Sequence, residues 1–135
     1  MSYAIAYLVA TAIFLLIDAI WLGVVAKNFY ADQLGYLMAD NIRFGVAAAF
    51  YAVYTIGIIV FAIKPGMSAD SISMVAGYSA LFGFLAYGTY DFTNLATIKD
   101  WPVIVSVVDI IWGTTITTVT GVTTYLILNK IGISL

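Results

Sequence analysis

Apolar residues run along this chain in four long blocks, separated by short polar punctuation rather than by a regular alternation. The first block covers residues 3–26 and stops at Lys27 and Asn28. The second covers 44–63, between Arg43 and the breaker Lys64-Pro65-Gly66. The third covers 71–97, with Asp70 placed as its N-cap, and the fourth covers 102–128, with Pro102 suited to a first helical turn. Polar residues inside the blocks do not recur at the spacing of a solvated helix face. Each block holds 20 or more residues. At about 1.5 Å per residue, a helix of that length crosses the ~30 Å hydrocarbon core of a bilayer.

The pattern therefore predicts an all-α integral membrane protein. Four transmembrane helices form an antiparallel bundle in one domain over 1–135, with both termini on one side. The longest connection, 27–43, mixes aromatics and leucines with charges and is read as a short interfacial helix, a plain polar loop being the alternative. The N-terminus lacks a basic leader and a small-residue cleavage site, so residues 1–27 are expected to be retained as the first span. Lys27, Arg43 and Lys99 stand against Lys64 and Lys130, which favours a cytoplasmic position for the 27–43 and 97–101 connections.

Composition turns four apolar blocks into a statement about solvent. The chain is 64% hydrophobic and only 9% charged, with a mean hydropathy of +1.07, and a water-soluble domain carries far more charge. The five basic residues are scattered and the net charge is −2, so there is no nucleic-acid footprint. Cys and His are absent and all seven acidic residues are aspartate. Disulfides, thiol chemistry, iron–sulfur ligation, His-ligated haem, His/Cys zinc sites and Glu-x-x-His sites are excluded from this chain.

Three of those aspartates lie inside apolar blocks. Asp18 precedes Lys27 by nine residues, Asp91 precedes Lys99 by eight, and Asp109 follows Trp101 by eight. Helical rise puts all three about 12 Å below the same membrane face. Trp21, Asn94 and Trp112 each follow one of them by three residues and share its helix face. Tyr51 and Tyr54 reach a comparable depth in the second span, and Tyr90 and Thr93 flank Asp91. An aspartate at a helix centre costs about 2.5–3.5 kcal/mol on insertion scales, so three imply pairing, protonation or a bound cation. The alternative is that they act as hydrogen-bonding glue between spans. Thr117, Thr120 and Thr124, with Tyr7 and Thr11, extend a weaker polar stripe toward the far side, although membrane threonines commonly bond to their own helix. Asp-x-x-Trp occurs in both the first and fourth spans, which reads as local convergence on one site rather than an internal repeat.

The segments FLLIDAIWLG, FYADQLG, YDFTNLATIKDWP and VDIIWGT resemble a bacterial family of small four-span membrane proteins, domain of unknown function 2177. The resemblance covers essentially the whole chain, and the residues that carry it are Asp18, Trp21, Tyr90, Asp91, Thr93, Asn94, Trp101, Pro102, Asp109 and Trp112. It implies a four-helix protein of the bacterial inner membrane and supplies no mechanism.

The expected function is binding or transport of a proton, a cation or a small amine-bearing solute at an Asp-lined polar site. The residues expected to form it are Asp18, Asp91, Asp109, Asn94, Trp21, Trp112, Tyr51, Tyr54, Tyr90 and Thr93. No organic cofactor is expected; a proton or a hard cation such as Mg²⁺ is what Asp18, Asp91 and Asp109 would hold. The expected partners are the lipid bilayer, a small cationic solute, and a second copy or another membrane protein. An accessory subunit pairing with a partner helix is one alternative. A lipid-modifying enzyme is another, weakened by the lack of His, Cys and Glu.

Overall fold

The computed structural model describes residues 1–135. α1 (Ser2–Ile20) continues through a π turn, Trp21–Val25, and is followed by α2 (Lys27–Leu34) and a 3-10 turn, Gly35–Leu37. α3 (Phe44–Ile58) passes through a second π turn, Ile59–Ile63, into α4 (Lys64–Ser68). α5 (Ile72–Thr97) and α6 (Val103–Lys130) complete the chain. Four helical stretches are long and apolar enough to cross a membrane: Ser2–Val25, Phe44–Ser68, Ile72–Thr97 and Val103–Lys130. This is an all-α membrane protein with four apolar helices packed together.

Four boundaries differ from expectation. The second span does not stop at Ile63 but runs on to Ser68. Pro65 has no N–H to give, and the widened π turn just before it lets the helix axis continue past that missing bond. The cap of α5 is Ser71, whose hydroxyl accepts from the Met74 N–H at 3.2 Å, rather than Asp70. Asp70 instead takes the left-handed turn position, φ 47°, as Asp100 does at φ 60° in the α5–α6 connection. Aspartate tolerates that conformation better than most residues. Pro102 stands one residue before the first helical position of α6. The interfacial helix is shorter than 27–43, ending at Leu34 before the 3-10 turn.

Which face is buried explains where the polar groups go. On α1 the buried residues are Ala6, Ala10, Phe14 and Asp18, four apart on one stripe, so the acid lies on the core face. Leu8, Val53 and Ile111 point outward, as suits a lipid solvent. α5 and α6 form the most extensive helix pair. Their seam is made by glycine: a Cβ on Gly83 would stand 2.5 Å from the Gly113 carbonyl oxygen and 2.8 Å from Thr117 Cβ, and one on Gly113 would enter the Tyr87 ring. Small residues let backbones approach this closely, which is how membrane helices gain packing energy without a hydrophobic drive. α3 meets α1 differently, through the Phe14 ring against Tyr51 at 5.7 Å and Tyr54 at 5.4 Å.

Candidate functional site

The site forms at one end of the bundle, where α1 gives way to its π turn and α2 folds over. Asp18 is 7% exposed. The Tyr51 hydroxyl donates to its Oδ2 at 2.5 Å, and the Trp112 indole N–H reaches its Oδ1 at 3.4 Å. Asp109, half-buried on α6, accepts from the Tyr30 hydroxyl at 2.7 Å, and Trp21 Nε1 donates to that hydroxyl at 3.4 Å. The two indoles stack with centroids 4.2 Å apart and planes 8° from parallel.

This geometry resolves the repeated Asp-x-x-Trp. Helical spacing puts each tryptophan on the face of its own aspartate. Yet Trp112 serves Asp18 across the bundle, and Trp21 serves Asp109 through Tyr30. Each indole is engaged with the acid of the other helix.

A cavity of about 390 Å³ lies against these groups. Asp18 and Asp109 supply its carboxylates, and Trp21, Trp112, Tyr30, Tyr51, Tyr87, Tyr90 and Phe50 its aromatic walls. No Lys or Arg lines it. Of the ten residues singled out in the sequence, six line this cavity: Asp18, Asp109, Trp21, Trp112, Tyr51 and Tyr90.

The other four lie elsewhere. Asp91 is fully buried beside Asp109, but it does not line the cavity, and neither of its carboxylate oxygens makes a regular hydrogen bond. Its backbone carbonyl is engaged instead: Ser106 Oγ donates to it at 3.3 Å and Trp101 Nε1 donates to Ser106 Oγ at 3.0 Å. Tyr54 sits below the cavity, sharing a 2.8 Å hydrogen bond with Thr117 Oγ1 and stacking on Phe82. Asn94 is half-buried away from the cavity, and Thr93 is exposed, its carbonyl accepting from Thr97. Asp18, Asp91 and Asp109 do not converge as a set able to ligate a metal ion; Asp18 and Asp109 both line the cavity, while Asp91 is set behind it. Thr117, Thr120 and Thr124 do share one buried face. Thr117 bonds to the Gly113 carbonyl at 2.6 Å, and the other two hydroxyls have no partner.

Six wall residues lie outside the set singled out in the sequence, among them the tyrosines Tyr30 and Tyr87. Tyr87 lies one helical turn before Asp91, and its phenol is aimed into the cavity by the absence of a side chain at Gly113. Tyr30 comes from α2, outside the spans. Burial, and then the Asp109 carboxylate it donates to, push its phenol well above the usual tyrosine range, so it remains a donor. A second tyrosine of the same connection, Tyr36, donates to the Asp100 carbonyl at 2.7 Å and ties the α1–α3 connection to the α5–α6 turn.

A family model described as "Predicted membrane protein (DUF2177)" matches residues 3–126, and the chain belongs to that family. No curated protein and no solved structure gives a significant match.

Proposed function

We propose that this member of the membrane-protein family binds an amine-bearing organic cation in the two-carboxylate cavity and carries it across a bacterial inner membrane. One observation carries the reading: Asp18 and Asp109 face one aromatic-walled space that contains no basic side chain. Carboxylates in that setting cost energy that a bound cation would offset. The walls favour an organic cation over a bare proton or metal, because a cation against the Trp21, Trp112 and tyrosine faces gains about 0.5–2 kcal/mol at each good contact. A volume near 390 Å³ falls in the range of small-molecule sites, about 300–1,000 Å³. The Tyr51 hydroxyl and the Trp112 indole on Asp18, and the Tyr30 hydroxyl on Asp109, hold the carboxylates in place while leaving acceptor capacity for the ligand. A chain of this size would use a second copy to alternate access.

The experiment is titration of the purified protein in lipid nanodiscs with tetramethylammonium, read by tryptophan fluorescence, alongside methylammonium uptake into proteoliposomes. Asp18→Asn and Asp109→Asn should each weaken binding about tenfold or more, the equivalent of losing one charge-assisted contact. Wild-type fluorescence unmoved by the cation, or variants that bind as tightly as wild type, would overturn the reading.

A further inference from the structure

A second recess, of about 330 Å³, lies between α1 and α3. It shares Ala47 and Tyr51 with the carboxylate cavity, so the two spaces adjoin. On α1 its wall is Tyr7, Thr11 and Leu15, four residues apart, and Asp18 follows three residues on. The recess therefore leads away from the acid down the helix, over about 16 Å from Asp18 to Tyr7. On α3 the facing wall is largely methyl groups, Ala47, Ala48 and Ala52. Its far end is crossed by the Tyr7 hydroxyl, which donates to the Ala52 carbonyl at 3.4 Å.

Phe44, Ala48 and Leu15 at its margin are exposed on the outer surface of the bundle, the side that faces lipid. Thr11 Oγ is buried within the recess without a partner. No charged side chain lines it. A charged cavity that adjoins an apolar, lipid-facing groove fits a molecule with the same two ends.

Resting on the organic-cation reading above, we propose that the ligand is a single-tailed cationic amphiphile, an alkyl amine or quaternary ammonium. Its head lies between Asp18 and Asp109, its hydrocarbon tail lies in the α1–α3 groove, and it enters sideways from the bilayer. Lipid is as apolar as the groove, so the tail gains little by leaving it; the gain comes from packing against a preformed surface while the head is held. A head that also carried phosphate would set a negative charge near two carboxylates with no basic residue to answer it.

The test compares three probes on the full chain in nanodiscs: tetramethylammonium, dodecyltrimethylammonium and dodecylphosphocholine, each corrected for partition into empty discs. Ala48→Phe and Thr11→Leu fill the groove from opposite walls with apolar atoms, and Asp18→Asn alters the head site. Each groove variant should weaken dodecyltrimethylammonium about tenfold while leaving tetramethylammonium within about twofold, and Asp18→Asn should weaken both. Thermal unfolding in the same discs identifies a variant that has lost its fold, and the variant from the other wall then decides. If both folded groove variants bind dodecyltrimethylammonium as wild type does, or lose both ligands equally, the tail site is overturned while the cation reading stands. If Asp18→Asn changes nothing, or wild type binds neither ammonium, the cation reading itself falls. Dodecylphosphocholine bound as tightly as dodecyltrimethylammonium overturns the restriction to purely cationic heads.

Discussion

α5 and α6 meet nearly backbone to backbone, with glycines at 83 and 113 where any side chain would collide. α1 and α3 meet through the rings of Phe14, Tyr51 and Tyr54, and room is left beside them for a groove. The first pair gains its stability from dispersion over a long close contact, and such a contact has no slack. The second is held by a few large side chains, which keep two helices apart as much as they join them. Sites need space, and in this bundle the space lies on the ring-packed side. The glycine-seamed side supplies a fixed wall, from which Asp109, Trp112 and Tyr87 reach into the cavity.

The comparison breaks most sharply at the seam. Gly83→Leu should cost about 3 kcal/mol or more in unfolding from detergent micelles, since the clash is with backbone and cannot be relieved by a rotamer change. Ala48→Leu, on the open side, should stay within about 0.5 kcal/mol. Equal losses at the two positions would mean that the two interfaces are packed alike after all. Next in size is Asp91→Leu, which removes a buried carboxylate that has no regular hydrogen bond. It should raise stability by about 1–3 kcal/mol in the same assay, because an unsatisfied buried polar group is a cost. A loss instead would show that the Asp109 carboxylate beside Asp91 acts as its partner and holds the two helices together.

A smaller effect tests the cover over the site. Tyr30→Phe should cost about 1 kcal/mol at neutral pH, and a double-mutant cycle with Asp109→Asn should place most of that in the coupling between them. Its pH dependence follows from the direction of the shift. Folding raises the Tyr30 pKa, so the stabilisation is fully present below the unfolded value near 10 and is lost as the pH rises through the higher folded value. The difference between wild type and Tyr30→Phe should therefore stay flat from neutral pH to about pH 10 and shrink only above it. A decline beginning near pH 8 would contradict the shift.

Much of this architecture is legible in the apolar pattern. Four blocks long enough to cross lipid give the four helices, and the count of residues from each membrane face places Asp18 and Asp109 at one level. That arithmetic fixes depth along a helix axis but carries no information on rotation about it. Asp91 has the right depth and is nonetheless set behind the cavity, and Tyr54 falls one turn below it. Tyr30 has no place in a count of depth within the spans, because α2 folds back and delivers its phenol from outside them. The Lys-Pro-Gly stretch reads as a terminus because a π turn, which frees the helix from needing the proline N–H, has no simple sequence sign.

The crossed engagement of Trp21 and Trp112 has a mechanical consequence. Since each indole answers to the opposite helix, turning α1 about its own axis would pull Trp21 from Tyr30 and, in the same motion, carry Asp18 away from Trp112. Neither contact can slip alone while the two rings remain face to face. The first and last helices at this end are geared to one another, so that a ligand prising apart either acid would be sensed by both.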